Sequence, residues 1–286
     1  MKKLIAGVVV VLAVVGGTLL VRQSKQPAAA DEKQVTTIQV AHTQNYVPYD
    51  FINEAGESDG YEVQVLKAVD EKLPQYELEF TGTSDDDLLI GLESGKYDVG
   101  VKGAWYTEER AEKFILPEEK IGASIIGFTI RQEDADTITD IDSFAKTGGK
   151  LVPISPQNAQ WNVIDEYNQA NPDQQIQLTA AEAFNVADAY AWVLEKRYDA
   201  FFDIKLSYEE AIENEDGAYH QYANQLTYVP YKGIPTYPLL HRDEQNEAFA
   251  KAYEGAIREL EEDGTLQSLS EEYFGEDVFQ FIDENN

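Results

Sequence analysis

Leu92-Glu93-Ser94-Gly95-Lys96-Tyr97-Asp98-Val99-Gly100, followed by Thr107-Glu108-Glu109-Arg110-Ala111-Glu112-Lys113-Phe114, decides how this chain is read. The first stretch predicts a helix stopped at Gly95 and a short strand after it, because glycine takes the left-handed turn beyond a helix end without steric penalty. The second puts an arginine in the loop past the strand's carboxyl end, where open α/β sheets hold their ligands. A guanidinium there presents a planar fork of donors that matches a carboxylate with two parallel, charge-assisted bonds.

Outward from this point the pattern alternates strand and helix, as an α/β protein with crossover connections requires. A strand is expected at 37–41, and a helix at Tyr61–Lys72 with Val63, Leu66, Val69 and Leu73 at helical spacing. Residues 76–80 form the next strand, and Ser84-Asp85-Asp86-Asp87 supplies an N-cap and first-turn acids to a helix at 88–93. An apolar run at 121–130 leads to an acidic, Thr-rich segment at 132–142, read as solvated. A strand at 150–155, a helix at 189–196 and a strand at 198–202 then repeat the helix, strand, loop order. Residues 228–240 read as a return crossing, and 247–262 as an amphipathic helix ended by Gly264.

The amino terminus and the composition fix the compartment. Basic Met1-Lys2-Lys3, an apolar run from 4 to 21 and Arg22 make a secretory signal. Ala28-Ala29-Ala30 fits a cleavage site but lies far from the apolar run, so residues 1–30 read as a signal peptide or a retained signal anchor, about 17 to 25 apolar residues being enough to span a bilayer. The protein is expected outside the cell, secreted or surface-associated. With no cysteine it has no lipid-modified Cys, structural disulfide or thiol chemistry. The formal charge is -31, and Lys2, Lys3, Arg22 and Lys25 all precede the exported part, which is more acidic still. Such a surface repels nucleic acid and anionic lipid.

With these landmarks a resemblance is visible. Asn45-Tyr46-Val47-Pro48-Tyr49-Asp50-Phe51, Gly60-Tyr61-Glu62-Val63, 92–100 and 107–114 resemble the successive signatures of the amino-acid-binding proteins of ABC transporters, with the type II periplasmic-binding-protein fold. Glu262-Asp263-Gly264-Thr265-Leu266 and Glu272-Tyr273-Phe274-Gly275 are similar to the family's closing helix, and the whole is nearest to its cystine-type branch. The resemblance implies an α/β, two-lobed clamp with two crossing hinge strands: lobe 1 from 36–126 plus 232–286, lobe 2 from 127–231.

It also implies roles for residues. Arg110 matches the arginine that binds the ligand α-carboxylate, the alternative being a surface salt bridge to Glu109 or Glu112. Gly103 matches a position whose backbone bonds the ligand, Thr107 offers an amide and a hydroxyl on the same loop, and Tyr46 matches an aromatic that stacks over the ligand. Trp105 stands where a small hydroxyl residue is usual, so it partly fills the pocket or gives it a flat apolar wall. Ser155-Pro156-Gln157-Asn158-Ala159-Gln160 departs from the usual Gly-Thr loop, leaving Asn158, Gln160 and the first helical amides, from Ala159, to complete the carboxylate site. The acid expected for the α-ammonium is replaced by Ile204, with Asp203 one place early; successive strand residues face opposite ways. Either a local bulge restores Asp203 or another acid, such as Asp85, serves; Asp85 is equally a helix-capping acid.

His42, His220 and His241 have no metal-ligand spacing, and no phosphate-cradling loop or nucleophile elbow is present. The expectation is a monomeric, cofactor-free and metal-free binding protein, not an enzyme, that delivers a polar amino acid such as cystine or glutamine to ABC permease subunits. The alternatives are a ligand-sensing extracytoplasmic domain and a dehydratase-type enzyme on the same fold. Lys102, beside Gly103, moves glutamate or aspartate ahead if it points inward.

Overall fold

The computed structural model describes residues 35–156, 158–181 and 186–282; the signal segment 1–30 and Gln157 lie outside them. In chain order the elements are β1 (Thr36–Thr43), β2 (Asn45–Tyr46), β3 (Asp50–Ile52), β4 (Ser58–Asp59), α1 (Tyr61–Lys72), β5 (Tyr76–Thr83), α2 (Asp85–Glu93), β6 (Val99–Val101) and α3 (Glu108–Lys113). There follow β7 (Gly122–Arg131), α4 (Ile141–Thr147), α5 (Ala159–Ala170), α6 (Val186–Leu194), β8 (Ala200–Ile204), α7 (Lys205–Tyr208), β9 (Leu226–Thr236), β10 (Leu239–Leu240), α8 (Glu244–Glu262) and α9 (Thr265–Phe274).

The first sheet runs β10-β6-β1-β5, with β1 parallel to both β5 and β6 and β10 antiparallel at the edge. Its strands send alternate side chains to opposite faces. Ile38, Val40, Val99 and Val101 pack on one side with Leu66 and Val69 of α1 and with Phe249, Tyr253 and Ile257 of α8. Ala41 faces the other side, against Leu88 and Leu92 of α2 and Phe114 after α3. Covered on both faces, this is a parallel α/β layer.

The second sheet is antiparallel, in the order β8-β7-β9. Ile126, Phe128 and Ile130 of β7 meet Phe202 of β8, Phe144 of α4 and Ile164 of α5 in a second core. The chain passes between the two regions along β7 and β9, whose register runs from Gly122↔Thr236 beside the first sheet to Arg131↔Leu226 at the far end. These are the two crossing strands of the two-lobed α/β clamp.

Three expectations need correction. Residues 150–155 form no strand: Leu151 and Ile154 make single parallel bridges, to Ala200 and Ala180. Pro153 between them has no N–H to give a ladder. The helix and strand placed at 189–196 and 198–202 are α6 and β8, both offset, because the chain turns back at Lys196 (φ 60°) and the Arg197 amide donates to Trp192 O at 2.9 Å before the strand begins. The segment at 132–142 is not merely solvated. Asp134 pairs with Arg131 at 2.8 Å, Asp140 caps α4 in a reciprocal bond pair with Ser143, and Asp142 accepts from the Tyr167 hydroxyl at 2.8 Å.

The register between β7 and β9 shifts at Ile126/Gly127. A β-carbon built on Gly127 would lie 2.2 Å from Val229 O and 2.8 Å from Pro230 Cα, both backbone atoms that cannot step aside. Gly127→Ala is therefore expected to destabilise the protein by about 1–3 kcal/mol, as overpacking does. Urea unfolding checks this: a lower midpoint at unchanged slope is expected, and an unchanged midpoint would show that the two strands part there at little cost.

Candidate functional site

The first wall of the site is built from the carboxyl end of β6. Beyond Val101 the chain turns at Gly103, whose φ of +61° puts it in the left-handed region. A β-carbon here would stand 2.9 Å from Cε1 of Tyr46. Tyr46 in turn stacks on Tyr49, with ring centroids 4.9 Å apart and planes 11° from parallel. The buried Tyr49 hydroxyl donates to Ala123 O at 3.1 Å, tying this aromatic pair to β7. The Gly103 amide donates to Glu62 Oε2 at 2.8 Å, so what Gly103 can give a ligand is its carbonyl.

Trp105 forms a backbone bridge to Thr236 of β9, and its ring packs against the core of the second sheet rather than the first. Thr107 spends its hydroxyl as the cap of α3, accepting from the Arg110 amide at 3.1 Å. Arg110 Nη1 donates to Trp105 O at 2.6 Å, which folds the guanidinium back over the loop that carries it. The salt bridge to Glu109 or Glu112 weighed from the sequence is absent among the described ion pairs; Glu109 goes to Lys113 at 3.1 Å. Burial draws the Arg110 pKa below its ordinary value, while the charges of Asp85 and Glu109 oppose the shift.

Asp85 opens α2 and forms an ion pair with Lys102. With Thr43, Asn45 and Tyr46 these two line a cavity of ≈ 340 Å³, in the size range of small-molecule sites, roughly 300–1,000 Å³. Lys102 thus points inward, but its charge is already met.

The second wall is the start of α5 and the end of β8. Asn158 is the exposed N-cap of α5 and makes no side-chain cap bond; Ala159 and Gln160 follow in the first turn, where helix amides point outward. Gln160 Nε2 donates to Asp203 Oδ1 at 2.8 Å, and the Ile204 amide donates to the same oxygen at 2.9 Å. Asp203 is only 9% exposed. Burial pushes its pKa up, against the bonds from Ile204, Gln160 and Ser207, all of them neutral donors. The ten sequence-derived residues thus fall into two groups: Tyr46, Asp85, Gly103, Trp105, Thr107 and Arg110 around the β6 loop, and Asn158, Ala159, Gln160 and Asp203 around the α5 start.

Beneath the first wall is a pair the sequence reading missed. Asp50 and Glu62 are both fully buried, and the charge of Glu62 is felt at Asp50. Each keeps an oxygen, Asp50 Oδ2 and Glu62 Oε1, with no partner among ordinary donors. One proton held between the two carboxyls removes the repulsion of two buried charges. Asp50 carries it: burial and the charge of Glu62 raise its pKa, whereas the amide of Gly103 opposes the effect of burial on Glu62. The prior signals were Asp50 within 45–51 and Glu62 within Gly60-Tyr61-Glu62-Val63, with nothing to show that they meet. The histidines are structural, with His42 bonded to Thr43 O at 2.6 Å and Ser58 Oγ at 2.7 Å, and no group of three or more potential ligands is placed to hold a metal among the described residues.

Residues 38–276 match the family profile "Bacterial extracellular solute-binding proteins, family 3". The chain is 26% identical over 248 residues to the L-cystine-binding protein TcyJ of Bacillus subtilis, covering 86% of this chain and 87% of that one. It is 26% identical over 255 residues to a probable amino-acid ABC transporter-binding protein of Haemophilus influenzae, covering 88% and 90%. The crystal structure of the probable amino-acid ABC transporter extracellular-binding protein ytmK from Bacillus subtilis superimposes with a TM-score of 0.64 at 24% identity, over 84% of this chain and 98% of that one, which establishes the fold.

The Asp50–Glu62 pair makes stability depend on pH. Both pKa values are raised in the folded state, so the native pair binds more protons than the unfolded chain between the ordinary carboxylate range and the raised values. Its contribution is fully present below about pH 4 and is lost as pH rises through that window. Asp50→Asn keeps a neutral donor beside Glu62, so the melting temperature should fall less between pH 5 and about pH 9 than in the wild type. Parallel melting curves would exclude a shared proton at this pair.

Proposed function

Because the chain belongs to the bacterial extracellular solute-binding proteins, family 3, we propose that it captures a polar amino acid of the cystine or glutamine type between the two walls and delivers it, unchanged, to the permease subunits of an ABC importer. The observation that carries this reading is a separation of charge. Arg110 is outside every ion pair among the described residues, and across the site Asp203 is a buried carboxylate whose bonds come from neutral groups. A buried carboxylate is costly without a counter-charge. The α-carboxylate and α-ammonium of an amino acid supply the two missing partners, one on each wall.

In this reading Asp203, not Asp85, receives the ammonium, since Asp85 is already neutralised by Lys102. The Gly103 carbonyl and the outward amides of Ala159 and Gln160 complete the contacts, Asn158 and Thr107 stand at the rim, and Tyr46 covers the ligand. Trp105, packed on the second core, sets the floor where the crossing strands enter. The clamp hinges on β7 and β9, between a lobe of 36–126 plus 232–286 and a lobe of 127–231. The protein works as a monomer without cofactor or turnover, outside the cell, after export directed by residues 1–30, which are cleaved or kept as an anchor. The named relatives, an L-cystine-binding protein and a probable amino-acid ABC transporter-binding protein, support the ligand class and the importer.

Removing one member of a buried, hydrogen-bonded charge pair costs about 3–5 kcal/mol. Arg110→Ala is therefore expected to weaken amino-acid binding at least about a hundredfold in calorimetry, with the ligand-free melting temperature nearly unchanged. Undiminished affinity would count against the amino-acid assignment.

A further inference from the structure

Asp203 is already occupied. Its Oδ1 accepts two hydrogen bonds, from the Ile204 amide at 2.9 Å and from Gln160 Nε2 at 2.8 Å, and the Ser207 hydroxyl adds a third to the carboxylate. An ionised carboxyl offers about four acceptor positions, two on each oxygen, so the capacity of Oδ1 is filled. The donors differ in their freedom to leave. Ile204 donates from the backbone, at the end of a strand whose pairing with β7 runs through Gly127↔Asp203 and Ile126↔Ile204. Ser207 belongs to α7, which follows that strand directly. Gln160 reaches in from 43 residues away, on a flexible side chain in the first turn of α5. That end of α5 is open: Asn158 is exposed and makes no side-chain cap bond, so a released amide finds water close by.

A buried carboxylate left short of donors is costly, which gives the ligand-free protein a reason to hold Gln160 there. A permanent counter-charge would defeat an acid meant for binding. Asp85 shows that case, since its charge is met by the ammonium of Lys102. A neutral amide satisfies the oxygen and remains the weaker partner: an ammonium makes the same hydrogen bond and adds the attraction of a full opposite charge, which is strong where water is largely excluded. We infer that Gln160 is a stand-in for the ligand's ammonium, its side-chain amide occupying Asp203 in the ligand-free protein and being displaced when an ammonium group arrives. Gln160 thus lowers the affinity of the site for every ammonium-bearing ligand, because one bond must break before another forms. The inference rests on the role proposed above for Asp203 and adds a displacement step to it.

The test is a thermodynamic cycle with L-cystine as the probe, or L-glutamine should that bind the wild type more tightly. Gln160→Met keeps the length of the side chain and loses its donor. Calorimetry should show this variant binding the probe about tenfold more tightly than the wild type, the scale of one hydrogen bond to a charged group. Its melting temperature should lie below the wild type's without probe and match it when both are measured in the same excess of probe, since the bond is lost only from the ligand-free state. Gln160→Lys gives Asp203 a tethered ammonium, so it should raise the ligand-free melting temperature and weaken probe binding at least about a hundredfold. A residue that merely steadies Asp203 behaves in the opposite way: Gln160→Met would weaken binding, and the gap in melting temperature would widen with probe. That result, affinity within about threefold of the wild type in Gln160→Met, or undiminished affinity in Gln160→Lys would each overturn the stand-in while leaving the amino-acid reading intact. Asp203→Asn tests that reading separately. Wild-type affinity in this variant, or binding of neither probe by the wild type, would remove the ammonium site itself and the stand-in with it.

Discussion

The bond from the Gly103 amide to the buried carboxylate of Glu62 is the constraint on which the first wall depends. It fixes a turn in the left-handed region, and the turn decides which way the loop leaves β6. From there Trp105 reaches the crossing strand at Thr236, Thr107 caps α3, and Arg110 comes back over the Trp105 carbonyl. A carboxylate in this position would be expensive alone. The proton held by Asp50, itself fixed by the hydroxyl of Thr43, makes it tolerable. The loop proposed to bind the ligand is thus held from below by a buried acid pair.

The crossing strands impose the second constraint. β7 is buried along nearly its whole length and pairs with β8 on one side and β9 on the other. Asp203 lies opposite Gly127 in the β7–β8 pairing, at the point where the β7–β9 register slips. The acid of the second wall is therefore seated on the element through which the two cores are joined. The pairing with β7 thus helps hold the position of Asp203, which Gln160 reaches from α5.

The helices and the parallel strands around the first wall were legible because their signals are local. Val63, Leu66 and Val69 repeat at helical spacing, Ser84 caps α2, and Gly95 takes its positive φ at the helix end. The second region was less legible. Its extended stretch around Leu151 and Ile154 is interrupted by Pro153, and α4 lies hidden in a run of acids whose capping and pairing roles depend on Ser143, Arg131 and Tyr167. The three-stranded sheet of β2, β3 and β4 uses strands of two or three residues, too short for alternation to register. Motif order was enough to put Arg110 and Gly103 in the segment after β6. The partners could not be placed that way: that Glu62 holds Gly103, that Lys102 neutralises Asp85, and that Gln160 meets Asp203 are long-range pairings, invisible to spacing.

Electrostatics narrows the ligand from a different direction. A chain at -31 repels anions at a distance, but beyond a Debye length of about 8 Å physiological salt screens most of that field. On the proposed reading, what the ligand meets at the two walls are the local charges. Arg110 and Lys102 provide two positive groups, and Asp203 and Asp85 two negative ones. Walls whose charges cancel but are set apart give little to a net anion or cation, since each attraction is matched by a repulsion nearby. On that reading the two walls favour a molecule that is neutral as a whole and carries its charges apart.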